Sequence, residues 1–139
     1  MPQPITSNST NVLMKKAAIL LLSGLTGLLA CAVHAADLVG QWRAEFDTQI
    51  GIQKYVFTLQ ADGDKLTGNA AAEVNGQKHE TELKEGQVEG DTVSFVETAN
   101  IQNNDVRIQY TGKIGTNEIA FTRVVGDYAT EEFKATRAQ

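Results

Sequence analysis

The stretch Val39-Gly40-Gln41-Trp42-Arg43-Ala44-Glu45-Phe46 decides how the rest of the chain is interpreted. Apolar and polar side chains alternate along it, which is the pattern of a strand with one buried face. The apolar face carries Trp42, Ala44 and Phe46. The stretch therefore predicts a first strand that places the only tryptophan of the chain in the core.

The same alternation recurs from residue 52 to the end of the chain. Its apolar members are Tyr55, Phe57 and Leu59; Leu66, Ala70, Ala72 and Val74; Val93 and Phe95; Val106, Ile108, Tyr110 and Ile114; Ile119 and Phe121; Phe133 and Ala135. Asn75-Gly76 is the strongest hairpin signal, because both central positions of a type I′ turn need positive φ. Gly86 and Gly90-Asp91 are predicted to separate short strands, and residues 98–105 to form a polar loop.

These patterns predict an all-β domain of eight or nine short antiparallel strands, with no significant helix. A meander of that size leaves two exposed edges unless it closes, so we expect a small up-and-down barrel. A two-sheet sandwich is the alternative, but it would need longer crossover connections, and only residues 98–105 could supply one.

The N-terminal region has the form of a secretory signal. Met14-Lys15-Lys16 is basic, and the run Ala17–Ala30 that follows it is apolar. Residues 1–12 carry no charge, so Met14 is a candidate for the true start. We predict cleavage before Ala36, which makes residues 1–35 a leader and signal peptide and residues 36–139 a single barrel domain in the periplasm or outside the cell.

A second reading of this region is a lipoprotein signal. Leu28-Leu29-Ala30-Cys31 resembles a bacterial lipobox, in which the cysteine is lipidated and anchors the protein. The run Ala17–Ala32 is short for a membrane span, which needs about 20 residues, so no transmembrane segment is expected in the mature form. The sequence leaves soluble export and anchoring through Cys31 both open.

The charge of the chain limits its partners. The formal net charge is −5, and without Lys15 and Lys16 the domain carries 10 basic and 17 acidic residues. Such a balance repels nucleic acids and anionic lipid surfaces, so no nucleic-acid partner is expected.

Two resemblances agree with the predicted barrel. Gly40-Gln41-Trp42, together with Arg137, resembles the motif of calycins, the superfamily of lipocalins, fatty-acid-binding proteins and avidins. This resemblance implies that Arg137 lies across Trp42 and helps to close one end, although nothing after Phe133 could form the helix of a lipocalin. The segments 55–59 and 62–68 are similar to a small secreted bacterial domain that stands alone or is appended to extracellular glycoside hydrolases. That second resemblance implies no functional residues.

The domain offers little catalytic chemistry. After the predicted leader it has one histidine, His79, one serine, Ser94, and no cysteine. His79 lies in a polar run, so a nucleophile pair with Ser94 is not expected. The count excludes a histidine zinc site, and Asp62-Gly63-Asp64 lacks the other ligands of a calcium loop. We therefore predict no enzyme, metal site or cofactor.

Two charged residues occupy positions that alternation assigns to the buried face of a strand. Arg123 follows Ile119 and Phe121, and Glu97 follows Val93 and Phe95. A buried arginine needs an anion, which would be either Glu97 or the acidic group of a ligand, and we expect the pair with Glu97. Paired carboxylates, Glu97 with a second, unidentified one, are the one enzymatic route left open, and glycoside hydrolysis needs only two such groups.

Three functions remain open. The favoured one is a non-catalytic binding module, with a small molecule or glycan held at the barrel mouth by Arg123, Tyr55, Tyr110, Trp42 and Glu97. The second is a protein partner, as in an inhibitor of a secreted protease that uses an exposed N-terminal segment. The third is a small hydrolase. An eight-stranded barrel is just wide enough for side chains to fill it, so the sequence does not decide whether the interior is hollow, nor does it give the ligand or the oligomeric state.

Overall fold

Eight antiparallel strands close into a barrel in the computed structural model, which describes residues 33–138. The strands are β1 (Gly40–Thr48), β2 (Gly51–Asp62), β3 (Lys65–Val74), β4 (Gln77–Glu89), β5 (Thr92–Ile101), β6 (Asn104–Ile114), β7 (Glu118–Val125) and β8 (Ala129–Arg137). Each strand pairs with the next along the chain, and β8 pairs with β1. The predicted all-β, up-and-down barrel is confirmed.

The alternation of side chains sets which face of each strand is buried. In β1 the side chains of Trp42, Ala44 and Phe46 are buried, and the residues between them are exposed. Trp42 lies opposite Phe57 of β2, so the apolar positions of neighbouring strands meet inside the barrel. One interior therefore collects the apolar side chains of all eight strands.

The turn at Asn75-Gly76 has the predicted geometry, with φ of 51° at Asn75 and 78° at Gly76. The predicted loop over residues 98–105 is wrong. β5 continues to Ile101, β6 begins at Asn104, and only Gln102 and Asn103 form the turn, both at positive φ. The segment looked polar because its outward side chains, at Thr98 and Asn100, are polar, while Ala99 is partly buried against the core.

The predicted strand break at Gly86 is also wrong, because β4 runs without interruption from Gln77 to Glu89. The pairing register with β5 shifts between Lys84 and Gln87, and Glu85 has a φ of 54°, which is the mark of a β-bulge. A Cβ atom on Gly86 would lie 2.2 Å from the carbonyl oxygen of Leu66. Glycine is needed there for the close approach of β3.

One end of the barrel is closed by the chain that precedes β1. A short 3-10 helix, Ala35–Leu38, which the sequence did not predict, buries Ala35 and Leu38. The indole Nε1 of Trp42 donates a hydrogen bond to the carbonyl oxygen of Leu38 at 2.9 Å. The guanidinium of Arg137 lies 4.5 Å from the centre of the Trp42 ring and donates to the carbonyl oxygens of Asp37 and Val39. The predicted contact of Arg137 with Trp42 is confirmed, and we call this end the closed end.

The predicted signal run, the alternative start at Met14 and the lipobox at Cys31 lie outside the described residues. The predicted cleavage point, before Ala36, falls within the 3-10 helix. Among residues 33–138, no helix has the length and apolar character needed to cross a membrane.

Candidate functional site

Aromatic side chains occupy the middle of the barrel. Seven buried rings contact one another, at Phe46, Tyr55, Phe57, Phe95, Tyr110, Phe121 and Phe133. The centres of the Phe46 and Phe133 rings are 4.2 Å apart, and those of Phe95 and Tyr110 are 4.8 Å apart. Side chains rather than a ligand space therefore fill this part of the interior.

Polar side chains collect between these rings and the end of the barrel that is opposite the closed end. The three buried ones are Gln53, Glu97 (2% exposed) and Arg123 (5% exposed). They contact Thr81, Tyr110 and Glu131. We call these six residues the polar core.

Glu97 is held by two hydroxyl groups. The Thr81 hydroxyl donates to Oε1 and the Tyr110 hydroxyl donates to Oε2, each at 2.7 Å. A buried carboxylate needs such donors, and here each oxygen has one. Glu97 is therefore satisfied without a cation in direct contact.

Arg123 is held by a different set of groups. Its Nη1 donates to Oε1 of Gln53 at 2.9 Å, and its Nε lies 3.4 Å from Oε2 of Glu131. The guanidinium carbon is 5.2 to 5.7 Å from the ring centres of Tyr55, Phe46 and Tyr110. Neither Nε nor that Glu131 oxygen makes a hydrogen bond within the described part of the chain. The arginine is thus enclosed by aromatic faces and one carboxylate.

The predicted ion pair between Arg123 and Glu97 is wrong. Among residues 33–138, the only carboxylate within 4 Å of the Arg123 guanidinium is that of Glu131. Glu131 lies directly opposite Arg123 in the β7–β8 ladder. Tyr110 of β6 lies opposite Arg123 on the other side, and Glu97 is one strand further away, on β5. The ring of Tyr110 therefore separates the two charges.

The protonation of the polar core follows from its burial. Burial raises the pKa of Tyr110 well above its usual value of 10.0, and the negative charge of Glu97 raises it further. Burial and then Glu97 also raise the pKa of Tyr55. Burial lowers the pKa of Arg123, but the charges that Tyr110 and Tyr55 acquire in alkali, together with those of Glu131 and Glu97, more than offset this, so the guanidinium stays charged. Tyr110 is consequently a permanent hydrogen-bond donor near neutral pH.

The structure brings together four of the five residues predicted to bind a ligand. Arg123, Tyr55, Tyr110 and Glu97 lie in or against the polar core, whereas Trp42 lies at the closed end. The placement of Trp42 beside them is therefore wrong, and the binding of a ligand by the other four stays a prediction.

Sequence reasoning missed Gln53, Thr81 and Glu131, which complete the polar core. Each lies two residues from a buried apolar side chain of the same strand and so points into the barrel; these side chains are Tyr55, Leu83 and Phe133 respectively. Side-chain alternation thus places all three residues on the inner face. The prediction of buried polar residues, however, took in only charged residues that follow two apolar positions of that face.

No catalytic arrangement emerges from the described residues. His79 is exposed, and both oxygens of Glu97 are engaged by hydroxyl groups. Residues 33–138 contain no group of three or more His, Cys, Asp or Glu side chains placed to hold a metal ion.

Three shallow concavities, of about 440, 420 and 530 Å³, lie over β2, β3 and β4. Most of the residues that line them are outward-facing and polar, as at Lys54, Gln60 and Glu80. They lie on the outside of the barrel, and none is lined by Arg123 or Glu97.

A different feature marks the end of the barrel above the polar core. Four large apolar side chains are exposed there, at Ile50 (66%), Ile52 (54%), Val124 (40%) and Tyr128 (64%). Ile50 and Ile52 belong to the β1–β2 hairpin, and Val124 and Tyr128 to the β7–β8 hairpin. The two hairpins are neighbours because β8 lies beside β1, where the ring centres of Phe46 and Phe133 are 4.2 Å apart towards this end. We call these four residues the rim surface.

No family model matches the sequence, and comparison with curated proteins and with solved structures gives no significant match. The site must therefore be judged on its own geometry.

Proposed function

We propose that this protein is an exported, non-catalytic binding module that holds a partner protein on the rim surface. The observation that carries the proposal is the distribution of exposed apolar side chains. Of the five large ones in residues 33–138, four lie on two neighbouring hairpins at one end. Grouped apolar side chains in water are costly for a free protein and mark surfaces that another molecule covers.

The interior supports this choice over an enclosed small ligand. The aromatic rings contact one another through the middle of the barrel, and Arg123 and Glu97 already have partners. A ligand at Arg123 would have to enter between packed aromatic rings, which costs free energy that a surface site does not require.

The proposal also places the binding surface away from the N-terminal segment. Ala35 and Leu38 are buried, and Arg137 holds the backbone of Asp37 and Val39. A trunk that inhibits a protease would need this segment to be exposed. The calycin-like barrel then serves as a rigid support for its hairpins, and export is supported by Met14-Lys15-Lys16 and the apolar run after it.

The test compares two variants of matched chemistry. One replaces Ile52 and Val124 by threonine, which keeps the β-branched side chain and removes apolar surface. The control is Val39→Thr, because Val39 is the fifth exposed apolar residue and lies next to the closed end. Proteins that the wild type captures from the extracellular and periplasmic fractions are identified by mass spectrometry, purified and titrated by calorimetry.

We expect the Ile52→Thr/Val124→Thr variant to bind the purified partner at least about tenfold more weakly, and Val39→Thr to bind it as the wild type does. Equal affinity for the wild type and the rim variant would contradict the proposal. So would a small molecule that raises the melting temperature of both proteins equally.

A further inference from the structure

Two carboxylates lie between the two halves of the rim surface. Asp47 is on the outer face of β1, directly opposite Ile52 in the β1–β2 ladder. In the β1–β8 ladder, Trp42 lies opposite Arg137 and Arg43 lies opposite Thr136. Continued along the strands, this register places Asp47 opposite Glu132, which is also exposed on the outer face. The extended register thus puts two carboxylates at one level of the outer face on neighbouring strands, beyond the two residue pairs that the ladder contains.

This arrangement is unfavourable for the free protein. The β1–β8 ladder ends after two residue pairs, before it reaches Asp47, so the two carboxylates lie where the strands are not paired. Like charges on adjacent strands repel each other. Within residues 33–138, no lysine or arginine nitrogen lies within 4 Å of either carboxylate. Other outer carboxylates do have such partners, as Asp91 has Lys113 and Glu118 has Lys134. Asp47 and Glu132 thus keep charges that a cation could neutralise.

The surroundings of the pair are apolar on both sides. Strands β2, β1, β8 and β7 are consecutive neighbours and carry Ile52, Asp47, Glu132 and Val124 on their outer faces. Val124 lies opposite Thr130, and Thr130 is the outward-facing residue of β8 next to Glu132. With about 5 Å between adjacent strands, the four side chains span about 15 Å. A short segment of another protein covers such a distance.

We infer that the rim surface takes a segment of a partner protein that presents a lysine or arginine between apolar side chains. The cation sits between Asp47 and Glu132, and the apolar side chains contact Ile52 and Val124. This inference rests on the proposed function and adds the chemistry of the partner. A second copy of this chain would bring carboxylates towards carboxylates, and an anionic lipid surface would be repelled by the same charges.

The experiment selects peptides from a random display library on the purified full chain. Enriched peptides are synthesised and titrated against the wild type at low and high NaCl. We expect lysine or arginine flanked by apolar residues, and affinity that falls as salt rises. Asp47→Asn and Glu132→Gln should each weaken binding by up to about fivefold without loss of thermal stability, since they relieve repulsion. Asp62→Asn, at the closed end, is the matched control and should leave affinity unchanged.

A charge reversal gives a second readout. A library selected on Asp47→Lys should lose its preference for basic peptides. Peptides without a basic residue that still lose affinity on Ile52→Thr/Val124→Thr would overturn this inference and leave the proposed function standing. Peptides that bind that variant as tightly as the wild type, or a library that yields no binder, would overturn both. A rim-dependent dimer in sedimentation, or binding to vesicles of anionic lipid, would overturn the assignment of a basic partner.

Discussion

Arg123 is the residue whose removal should cost the fold most among its charged groups. Without it, Glu131 loses its cation and Gln53 its donor in a buried setting. Breaking a buried ion pair by removing one partner costs about 3 to 5 kcal/mol. We therefore expect Arg123→Met to lower the free energy of unfolding by that amount in urea denaturation.

Double variants identify the partner of Arg123. Adding Glu131→Gln to Arg123→Met should recover much of the loss, because the uncompensated charge is removed. Adding Glu97→Gln should recover little, because Thr81 and Tyr110 already satisfy that carboxylate. The reverse order of recovery would mean that Arg123 pairs with Glu97 in solution.

Tyr110 should make the barrel sensitive to alkali. Its pKa in the folded protein lies well above 10.0, because of burial and the charge of Glu97. The unfolded chain loses this proton from about pH 10 upwards, whereas the folded protein keeps it. The protonated Tyr110 hydroxyl therefore contributes its full stabilisation of the folded state below pH 10. This contribution is lost as the pH rises from there through the pKa of Tyr110 in the folded protein.

We expect Tyr110→Phe to have two effects in thermal and urea unfolding. At neutral pH it leaves one Glu97 oxygen without its donor, which costs about 1 to 3 kcal/mol. Above pH 10 its stability should fall less steeply than that of the wild type. Tyr128→Phe, at an exposed position, is the control. An unchanged alkaline slope in Tyr110→Phe would show that the hydroxyl is not buried as described.

Trp42 should matter for stability rather than for binding. Its ring is buried, its Nε1 is bonded to Leu38, and Arg137 covers one face. Trp42→Ala should cost about 3 to 5 kcal/mol in urea denaturation, as expected for a large buried ring. A variant of near wild-type stability would instead show that the ring is exposed and free to stack on a ligand.

At the level of strands, side-chain alternation was enough to predict the barrel, because a period of two is visible wherever inward residues are apolar. Alternation did not predict the strands correctly where the inward residues are hardly more apolar than the outward ones. Around Ala99 the inward side chains are small, and the outward residues Thr98 and Asn100 look like a loop. The turn at Gln102-Asn103 lacks the glycine that marks Asn75-Gly76, so no residue pattern there indicates a two-residue connection.

The candidate site was predictable only in part for a related reason. Alternation placed Arg123 and Glu97 inside, but alternation within one strand does not fix which side chains of different strands meet. The partner of Arg123 depends on the β7–β8 register, which puts Glu131 opposite it. The apolar residues of the rim lie on hairpins that are neighbours only because β8 returns to β1. Neither relation is local in sequence.

The β1–β8 seam should be the weakest part of the sheet. The backbone N–H of Ala138 donates to Gln41, which indicates that odd-numbered residues of β1 point their amides towards β8. The ladder ends at Arg43, so the amides of Glu45 and Asp47 lie beyond it. By NMR hydrogen exchange we expect them to exchange faster than those of Ala44 and Phe46, which face β2. Equal protection along β1 would mean that the seam is fully paired.

For the molecule as a whole, the packed aromatic interior contributes to stability, and the exposed hairpins are the parts proposed to bind. The aromatic rings and the polar core fix the shape, and at the closed end Arg137 of β8 holds the segment that precedes β1. Under the proposed function, the partner contacts the outer surface. The net negative charge of the protein supports a basic partner, and the exposed apolar residues are the reason for proposing that it binds at the rim.

If the predicted leader is cut, the position of the cut should affect the stability of the whole barrel. Ala35 is completely buried, and the backbone N–H of His34 donates to Oδ2 of Asp37 at 2.9 Å. Cleavage before Ala36 removes both residues, whereas a chain processed at Cys31 keeps them. We expect a chain that begins at Ala32 to be more stable than one that begins at Ala36 by about 1 kcal/mol, the value of one buried methyl group.

Ala35→Gly in the longer chain separates the contribution of the methyl group from that of the hydrogen bond. Equal free energies of unfolding for the two chains would show that residues 33–35 do not hold the closed end. Mass spectrometry of the exported protein then shows which form the cell makes. An N-terminus at Ala36 identifies soluble export, and a diacylglycerol mass on Cys31 identifies an anchored protein that keeps the more stable end. An intact Met1 would contradict export with cleavage altogether.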